Sequence, residues 1–327
     1  MMGALVMGSL AIERFDAPAR ELAARSRAWR ADERMDASLL LGAPTDEALV
    51  LGAFQRASEI GSDAPEHSIV QRGSGGGAAR VGAGSVWLQL ALARPDALVA
   101  CTPDKLLNRY VRPLLRALTK VTSTPASYFG RDWISAAHRP VALVAFAHEA
   151  KTNAALFEAI VAVSTPFAAP GRPSFLGKAP ATLEEVAAGS IDRARVVDAI
   201  ADAYRELATS TVEVAPRAPA PVAVEDLASE SFRTATWTAT REEAIGLIAA
   251  GPDASGRLRV GGELMASSDA IARLEERLGS LPAEASEDDV GRAVDEALTT
   301  GGATTFGVRS LVSIRDVIVE ARRRNAG

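Results

Sequence analysis

The stretch of sequence that decides the fold is Gln71-Arg-Gly-Ser-Gly-Gly-Gly-Ala78. Its three consecutive glycines lose much backbone entropy when the chain orders them. Glycine has no Cβ atom, so its N–H groups can come very close to a phosphate or a carboxyl group. The stretch therefore predicts either a flexible turn or a loop that binds an anionic ligand.

Two common phosphate-binding loops can be compared with this stretch. A P-loop requires a lysine after its last glycine, and no lysine follows here, which excludes it. The dinucleotide pattern Gly-x-Gly-x-x-Gly/Ala is matched by Gly73, Gly75 and Ala78, with Asp96 about 20 residues further on. That pattern must begin a helix, whereas the sequence predicts a strand at residues 85–92. The dinucleotide interpretation is therefore disfavoured.

Hydrophobic periodicity places the loop among alternating helices and strands. Helices are predicted at residues 18–41, 104–118 and 183–207, the last one broken at Gly189 and Ser190. Strands are predicted at residues 48–54, 68–71, 85–92, 141–147 and 158–165. Pro113 should kink the second helix or mark a later start. Periodicity alone thus gives a mixture of helix and strand.

A Pro/Ala-rich segment at residues 216–221 predicts an extended linker. We therefore expect one domain over residues 1–215, a linker over 216–222 and a smaller domain over 223–327. In the smaller domain the sequence predicts a hairpin from residues 243–250 and 257–264, then helices at 268–278, 286–298 and 308–324. Ser286 and Asp289 have the spacing of a capping box.

Composition excludes several classes of function. The net charge of −5 gives no electrostatic reason to expect nucleic acid or an anionic membrane as a partner. No apolar run approaches the roughly 20 residues of a transmembrane helix, and the apolar start of the chain lacks the flanks of a signal peptide. The single cysteine, Cys101, fits a reducing compartment. These features predict a cytoplasmic protein.

The glycine-rich stretch belongs to a longer series of segments. Glu33-Arg-Met-Asp-Ala-Ser-Leu-Leu40 and Ala48-Leu-Val-Leu-Gly-Ala-Phe-Gln55 precede it, and Phe129-Gly-Arg-Asp-Trp133 follows it. Gly256-Arg-Leu-Arg-Val-Gly-Gly-Glu-Leu264 and a predicted helix come near the end. In this order the chain resembles the lipoate-, octanoate- and biotin-protein ligase superfamily, and above all the two-domain lipoate–protein ligases.

The resemblance implies an α/β (α+β) fold with a mixed sheet between helices and a small α+β accessory domain. It also implies an enzyme that converts lipoate to lipoyl-AMP with ATP and Mg²⁺, then acylates a lysine of a lipoyl-domain protein. It implies ligand-binding roles for Arg72, Ser74, Gly75, Gly76, Gly77, Ala78 and Arg131, and a metal-binding role for Asp132.

The chain departs from the family pattern where the catalytic groups lie. The family's histidine and acid after the glycines are replaced by Val81 and Gly82, and no lysine occurs between residues 120 and 151, where the catalytic lysine belongs. Arg139 by position, and Lys178 ahead of a segment like the family's Thr-Asn-Leu, are the candidates to replace it. Arginine can bind a phosphate with two donors but is larger than an ammonium group. Cys101 comes too early in the chain to match the nucleophile of octanoyltransferases.

Three functions remain open at this stage. The first is ATP-dependent attachment of a lipoyl-type acid to a protein, with Arg139 or Lys178 in the role of the missing lysine. The second is a non-catalytic relative that binds an adenylate, an acyl ligand or a lipoyl-domain protein. The third is a ligase for another small acid such as biotin, because residues 140–143 alter the segment that would line the acyl tunnel.

Overall fold

The computed structural model describes residues 8–29, 35–57, 68–169, 175–216 and 237–325. The strands of its N-terminal part are β1 (Ser9–Ala17), β2 (Ala37–Pro44), β3 (Ala48–Leu51), β4 (Ser68–Gln71), β5 (Ala79–Val81), β6 (Ser85–Leu92), β7 (Ala126–Tyr128), β8 (Trp133–Ala136), β9 (Arg139–Glu149), β10 (Ala154–Ala162) and β11 (Ser210–Val214). The helices of this part are α1 (Ala19–Arg27), α2 (Leu106–Thr122), α3 (Leu183–Ala187) and α4 (Arg193–Arg205).

An eight-stranded sheet in the order β11-β1-β2-β6-β10-β9-β8-β7 forms the centre of this part. Strand β1 is parallel to both of its neighbours, and the other adjacent pairs are antiparallel. A smaller sheet has the order β4-β3-β5. The expected mixed sheet with flanking helices is confirmed.

The two faces of the large sheet have different covers. Helices α2 and α4 share an apolar core with one face, here called the helix face, to which Leu88 and Val144 belong. Helix α1 and the smaller sheet share a second core with the opposite face, here called the loop face, to which Trp87, Leu143 and Ile160 belong. Because both faces are covered, β9 and β10 are apolar along nearly their whole length.

The C-terminal part has its own core. A three-stranded antiparallel sheet consists of β12 (Ala239–Glu243), β13 (Gly246–Pro252) and β14 (Leu258–Gly262), and a short pair consists of β15 (Met265–Ala266) and β16 (Thr305–Phe306). Helices α5 (Ser268–Ser280), α6 (Glu287–Leu298) and α7 (Leu311–Asn325) pack on the three-stranded sheet. The predicted hairpin and the capping box of Ser286 with Asp289 are confirmed.

Some of the sequence predictions were wrong in detail. The helix predicted at residues 18–41 ends at Arg27, and residues 37–44 form the buried strand β2. Its run of three leucines is buried on both sides, and such a run satisfies helical and strand spacing equally well. Strand β3 ends at Leu51, because the chain turns there towards the glycine-rich loop. Helix α2 continues through Pro113.

Three further points concern the predicted linker, membrane-spanning helices and metal sites. Apart from Pro216, the predicted linker at residues 216–222 lies outside the described residues, and the domain bounds remain a prediction. No helix in the described ranges has the length and apolar character needed to cross a membrane. Within those ranges, no group of three or more His, Cys, Asp or Glu side chains could hold a metal ion.

Candidate functional site

The glycine-rich loop, residues 72–78, lies over the loop face of the large sheet. Beneath it, Glu158 of β10 is paired in register with Gln89 of β6 and with Ala145 of β9. Side chains alternate along a strand, so Trp87, Ile160 and Leu143 form the next row on the same face. All three of these apolar side chains are buried. The candidate site is thus a layer between a packed sheet and a fixed loop.

Arg72 is the side chain that fixes the loop. It is fully buried, and its guanidinium donates hydrogen bonds to the carbonyl oxygens of Val50, Gly75 and Gly77 and to Ser74 Oγ, with Nε to Oγ at 2.9 Å. Arginine suits this position because its planar fork carries five donors. The structure therefore places Arg72 at the centre of the loop as its organiser.

The backbone N–H groups at the start of the loop donate within the chain. Gly73 donates to Ser26 Oγ at 2.6 Å and Ser74 donates to Glu158 Oε2 at 3.1 Å. Gly75 donates to the carbonyl of Phe146, and Gly76 to that of Leu264, both at 3.1 Å. Four successive donors are therefore engaged by α1, by β10, by β9 and by the C-terminal part.

Close backbone packing explains the glycines themselves. A Cβ atom on Gly73 would lie 2.1 Å from the carbonyl oxygen of Ser26, and one on Gly75 would lie 2.2 Å from that of Leu264. Gly76 has a φ of +83°, which residues with a Cβ atom rarely adopt. The run of glycines thus lets α1 and the C-terminal part approach the same loop from two sides.

Glu158 is a buried carboxylate that the sequence analysis did not single out. Its Oε2 accepts the N–H of Ser74, and its Oε1 accepts the indole N–H of Trp87 at 2.9 Å. The sequence does contain a signal for Glu158, because it is the single charged residue within a nine-residue strand whose other members are apolar. A buried charge is tolerated only with such partners.

The other end of the candidate site is a corner formed by two loops. Phe129, in the turn before β8, is 65% exposed, and the Lys178 ammonium lies 5.5 Å from the centroid of its ring. Arg131 donates to the carbonyl of Ala244 at 2.8 Å. Asp132 is buried, and its backbone carbonyl accepts the N–H of Val144. The structure thus places Lys178 against the Phe129 ring, and Arg131 and Asp132 follow Phe129 in the chain.

Tyr128 and Trp133 flank this corner in the chain. Burial raises the pKa of Tyr128, and the neighbouring Asp132 carboxylate raises it further. Trp133 points to the loop face, where its ring meets that of Phe175 edge to face at 5.4 Å between centroids. The aromatic pair joins the loop before Lys178 to the sheet.

Arg139 contacts the segment that follows Lys178 in the chain. It pairs in register with Ala136, whose side chain belongs to the helix-face core. Side chains alternate along a strand, so Pro140, which pairs with Ser135, points to the loop face. The Arg139 guanidinium donates to the carbonyl of Pro180 at 2.9 Å and to Glu185 at 2.7 Å. Phe146 lies seven positions further along β9, about 23 Å from Arg139.

Cys101 is not set up as a nucleophile. Burial raises the pKa of its thiol to about 11, so the unreactive protonated form dominates near neutral pH. The thiol lies before α2, away from the glycine-rich loop, and its Sγ donates to the adjacent carbonyl of Thr102 at 3.1 Å. Its position is consistent with the mismatch between Cys101 and the octanoyltransferase nucleophile in chain order.

The known proteins that are similar to this chain are similar in structure. No protein-family model matches the chain, and no curated protein matches its sequence. LipL1 of P. falciparum in complex with lipoate has a similar structure, with a TM-score of 0.65, 11% sequence identity and coverage of 96% of this chain and 100% of that chain.

Two further structures are similar to this chain over shorter stretches. A lipoate-protein ligase A bound with ATP matches 70% of this chain and 95% of its own length, at 17% identity and a TM-score of 0.48. The biotin protein ligase of Aquifex aeolicus with biotin and ATP matches 60% of this chain and 69% of its own, at 14% identity and a TM-score of 0.37. From the match to LipL1, the chain has the lipoate–protein ligase fold, as the resemblance predicted.

Proposed function

We propose that this protein acts in protein lipoylation, as a lipoate–protein ligase-like protein that transfers a lipoyl-type acyl group to a lysine of a lipoyl domain. The observation that carries the proposal is the match to LipL1, a protein whose structure contains lipoate, over 96% of this chain and all of that one. The segment Arg-Gly-Ser-Gly-Gly-Gly-Ala at residues 72–78 supports it at the level of the motif.

Within this proposal, Lys178 takes the role of the missing lysine in preference to Arg139. Lys178 lies against the exposed Phe129 ring, two residues before Arg131 in the chain, whereas Arg139 forms an ion pair with Glu185 on the helix face. A compact ammonium group stabilises negative charge that develops on a carboxyl or phosphate group during acyl activation. The same corner supplies a second cation in Arg131.

The cations of the corner are suited to the phosphates of a nucleotide. Mg²⁺ is commonly held by one or two carboxylates together with the phosphates of its nucleotide, but the Asp132 side chain is fully buried, so it does not fit an open metal site. Lys178 and Arg131 would face the phosphates, and ATP would supply the energy that activates the acid. The first part of the glycine-rich loop would line the acyl chain and not the phosphates, because its N–H groups are engaged.

The test is an acylation assay with purified protein, ATP, Mg²⁺, a lipoyl domain and lipoate, octanoate or biotin, followed by intact-mass spectrometry of the acceptor. We expect lipoyl or octanoyl transfer, and at least about 100-fold slower transfer for Lys178→Met, since removal of one such stabilising group typically costs that much. Lys151→Met is the matched control, because Lys151 is exposed in the β9–β10 turn. Absence of transfer with every acid would refute catalysis, and transfer of biotin alone would identify a different acid.

A second candidate function is binding without turnover, and one observation favours it. Arg139 points away from the loop face, and Pro140 occupies the position that faces it. Calorimetry with lipoyl-AMP separates the two functions. Tight binding of lipoyl-AMP by a protein that transfers no acyl group would establish the non-catalytic relative. Transfer that Lys178→Met abolishes would exclude it.

A further inference from the structure

Two neighbouring turns at the corner of the candidate site expose large apolar side chains. Phe129, in the turn between β7 and β8, is 65% exposed, and Leu176, in the turn before Lys178, is 68% exposed. The two turns meet at the surface, because the Lys178 ammonium lies 5.5 Å from the centroid of the Phe129 ring. Phe129 and Leu176 are here called the apolar pair. A single exposed apolar residue is ordinary, whereas two in adjoining turns form a small patch.

The turn that carries Leu176 is anchored from below. Phe175 and Lys178 form an antiparallel bridge, in which the N–H of Lys178 donates to the carbonyl of Phe175 at 3.1 Å. The buried Phe175 ring contacts the rings of Trp133 and Phe167, each at 5.4 Å between centroids. The position of Leu176 at the surface therefore follows from a packed aromatic cluster directly beneath the turn.

Leu176 also has a backbone conformation that disfavours leucine. Its φ is +51° and that of Gly177 is +78°. Where both central residues of a two-residue turn have positive φ, asparagine and glycine are the usual choices, because a Cβ atom is strained there. This leucine thus combines backbone strain with exposure of its side chain. Strained residues concentrate at sites that contact other molecules.

Cations border the apolar pair. The Lys178 ammonium lies against the Phe129 ring, and Arg131, two residues after Phe129, donates to the carbonyl of Ala244 at 2.8 Å. An aromatic ring and a carbonyl group are neutral partners, so these contacts do not compensate either positive charge. A complementary protein surface would offer an apolar side chain to the pair and carboxylates to the two cations.

The location of the apolar pair indicates which protein would cover it. In the proposed transfer, Lys178 stabilises the activated acyl group, and the acceptor lysine must approach that group to about 3–3.5 Å. The protein that carries the acceptor lysine therefore has to cover the surface beside Lys178. Phe129 and Leu176 are the exposed apolar side chains of that surface.

We propose that Phe129 and Leu176 are the docking surface for the acceptor lipoyl domain, which contacts them with an apolar side chain and with carboxylates that lie next to its acceptor lysine. This docking rests on the proposed function, because that function supplies the acceptor. The transfer chemistry itself does not require either side chain, so the docking can be tested apart from catalysis.

NMR titration of a ¹⁵N-labelled, unacylated lipoyl domain with the unlabelled wild-type protein tests docking in the absence of ATP and acid. We expect saturable chemical-shift changes that surround the acceptor lysine and include neighbouring Asp or Glu residues. Absence of shift changes, or changes confined to a surface remote from the acceptor lysine, would overturn the proposal. This readout requires no turnover and no variant.

Two variants then locate the docking surface on this chain. Phe129→Ser should weaken binding of the lipoyl domain at least about tenfold, and Leu176→Gly at least about threefold, since aromatic anchors carry most of an interface's binding energy. Glycine suits the positive φ at position 176, so the melting temperature of Leu176→Gly should not fall. Val212→Thr is the matched control, because Val212 is 51% exposed on β11, at an edge of the large sheet. If either variant bound the lipoyl domain as tightly as the control, the apolar pair would not be the docking surface.

Steady-state acylation separates docking from the chemistry. In both variants the KM for the lipoyl domain should rise by the factors found for binding, with the KM for lipoate unchanged. A rise in the KM for lipoate instead would assign the two side chains to the acid site and overturn the proposal. A wild-type protein that binds the lipoyl domain next to its lysine but transfers no acyl group would refute catalysis and leave the docking surface supported.

Discussion

Replacement of Arg72 by methionine should mainly lower the stability of the protein, and should have a smaller direct effect on ligand binding. The substitution keeps the length and apolar character of the buried side chain but removes every donor. The carbonyls of Val50, Gly75 and Gly77 and the hydroxyl of Ser74 then lose the guanidinium. Ligand-binding arginines are usually reached by solvent, whereas this one is 1% exposed.

The size of the effect follows from the hydrogen bonds. A buried acceptor that loses its donor costs about 1–3 kcal/mol, and four such groups in one loop relax together, so the total is below the sum. We expect a loss of about 3–5 kcal/mol in the free energy of unfolding, similar to the removal of one partner from a buried charged pair. Arg72→Lys keeps the charge but loses the fork, and should cost about 1–3 kcal/mol.

Equilibrium unfolding in urea, followed by circular dichroism, measures these losses through the midpoint and the slope m. Arg80→Met is the control on the strand that leaves the loop, because its half-exposed pair with Glu47 should contribute only about 0–1 kcal/mol. If Arg72→Met and Arg80→Met lowered the free energy of unfolding equally, or each by less than about 1 kcal/mol, Arg72 would not be the organiser of the loop.

Two more predictions concern the contact between the two parts of the chain. Gly75→Ala should lower the free energy of unfolding by about 1–3 kcal/mol, because its Cβ would overlap the Leu264 carbonyl. Small-angle X-ray scattering should show a more extended molecule, and Gly279→Ala, a position with open space, is the control. An unchanged scattering profile for Gly75→Ala would refute the reasoning. His148 accepts from Ser267 through Nδ1 and donates to Asn153 through Nε2, and burial lowers its pKa, against the raising effects of Asn153, Asp269 and Glu149. The unfolded chain therefore binds the proton more readily than the folded chain, and stability should fall as the pH drops below about 6.5. The melting temperature of His148→Gln should not show this fall. A pH profile of the variant identical to that of the wild type would contradict the reasoning.

Sequence alone predicted the parts of the fold that local patterns encode. Helix α6 and its capping box were predicted because Ser286 and Asp289 interact over a single turn. The strand Ala37–Pro44 was missed because its leucines are buried on both faces by elements distant in the chain. Local spacing cannot distinguish that burial from a helical stripe.

The candidate site was predictable in its composition but not in its geometry. The glycine-rich stretch pointed to close backbone approach, which the structure contains, but the groups that approach are Ser26 and Leu264 of the same chain. The face on which Arg139 lies depends on an irregular pairing between β8 and β9, which shifts the register by one residue. A shift of one residue turns a side chain to the other face of a sheet, and no motif encodes it.

Several hydrogen bonds between the two parts of the chain use main-chain atoms. Gly76 donates to Leu264, Gly262 donates to Phe54, and the N–H groups of Ala150 and Lys151 donate to the single side chain of Asp269. Backbone atoms are the same in every residue, so these hydrogen bonds do not depend on which side chains their residues carry. Over evolutionary time they can persist while neighbouring side chains change, provided that the glycines and the aspartate are retained.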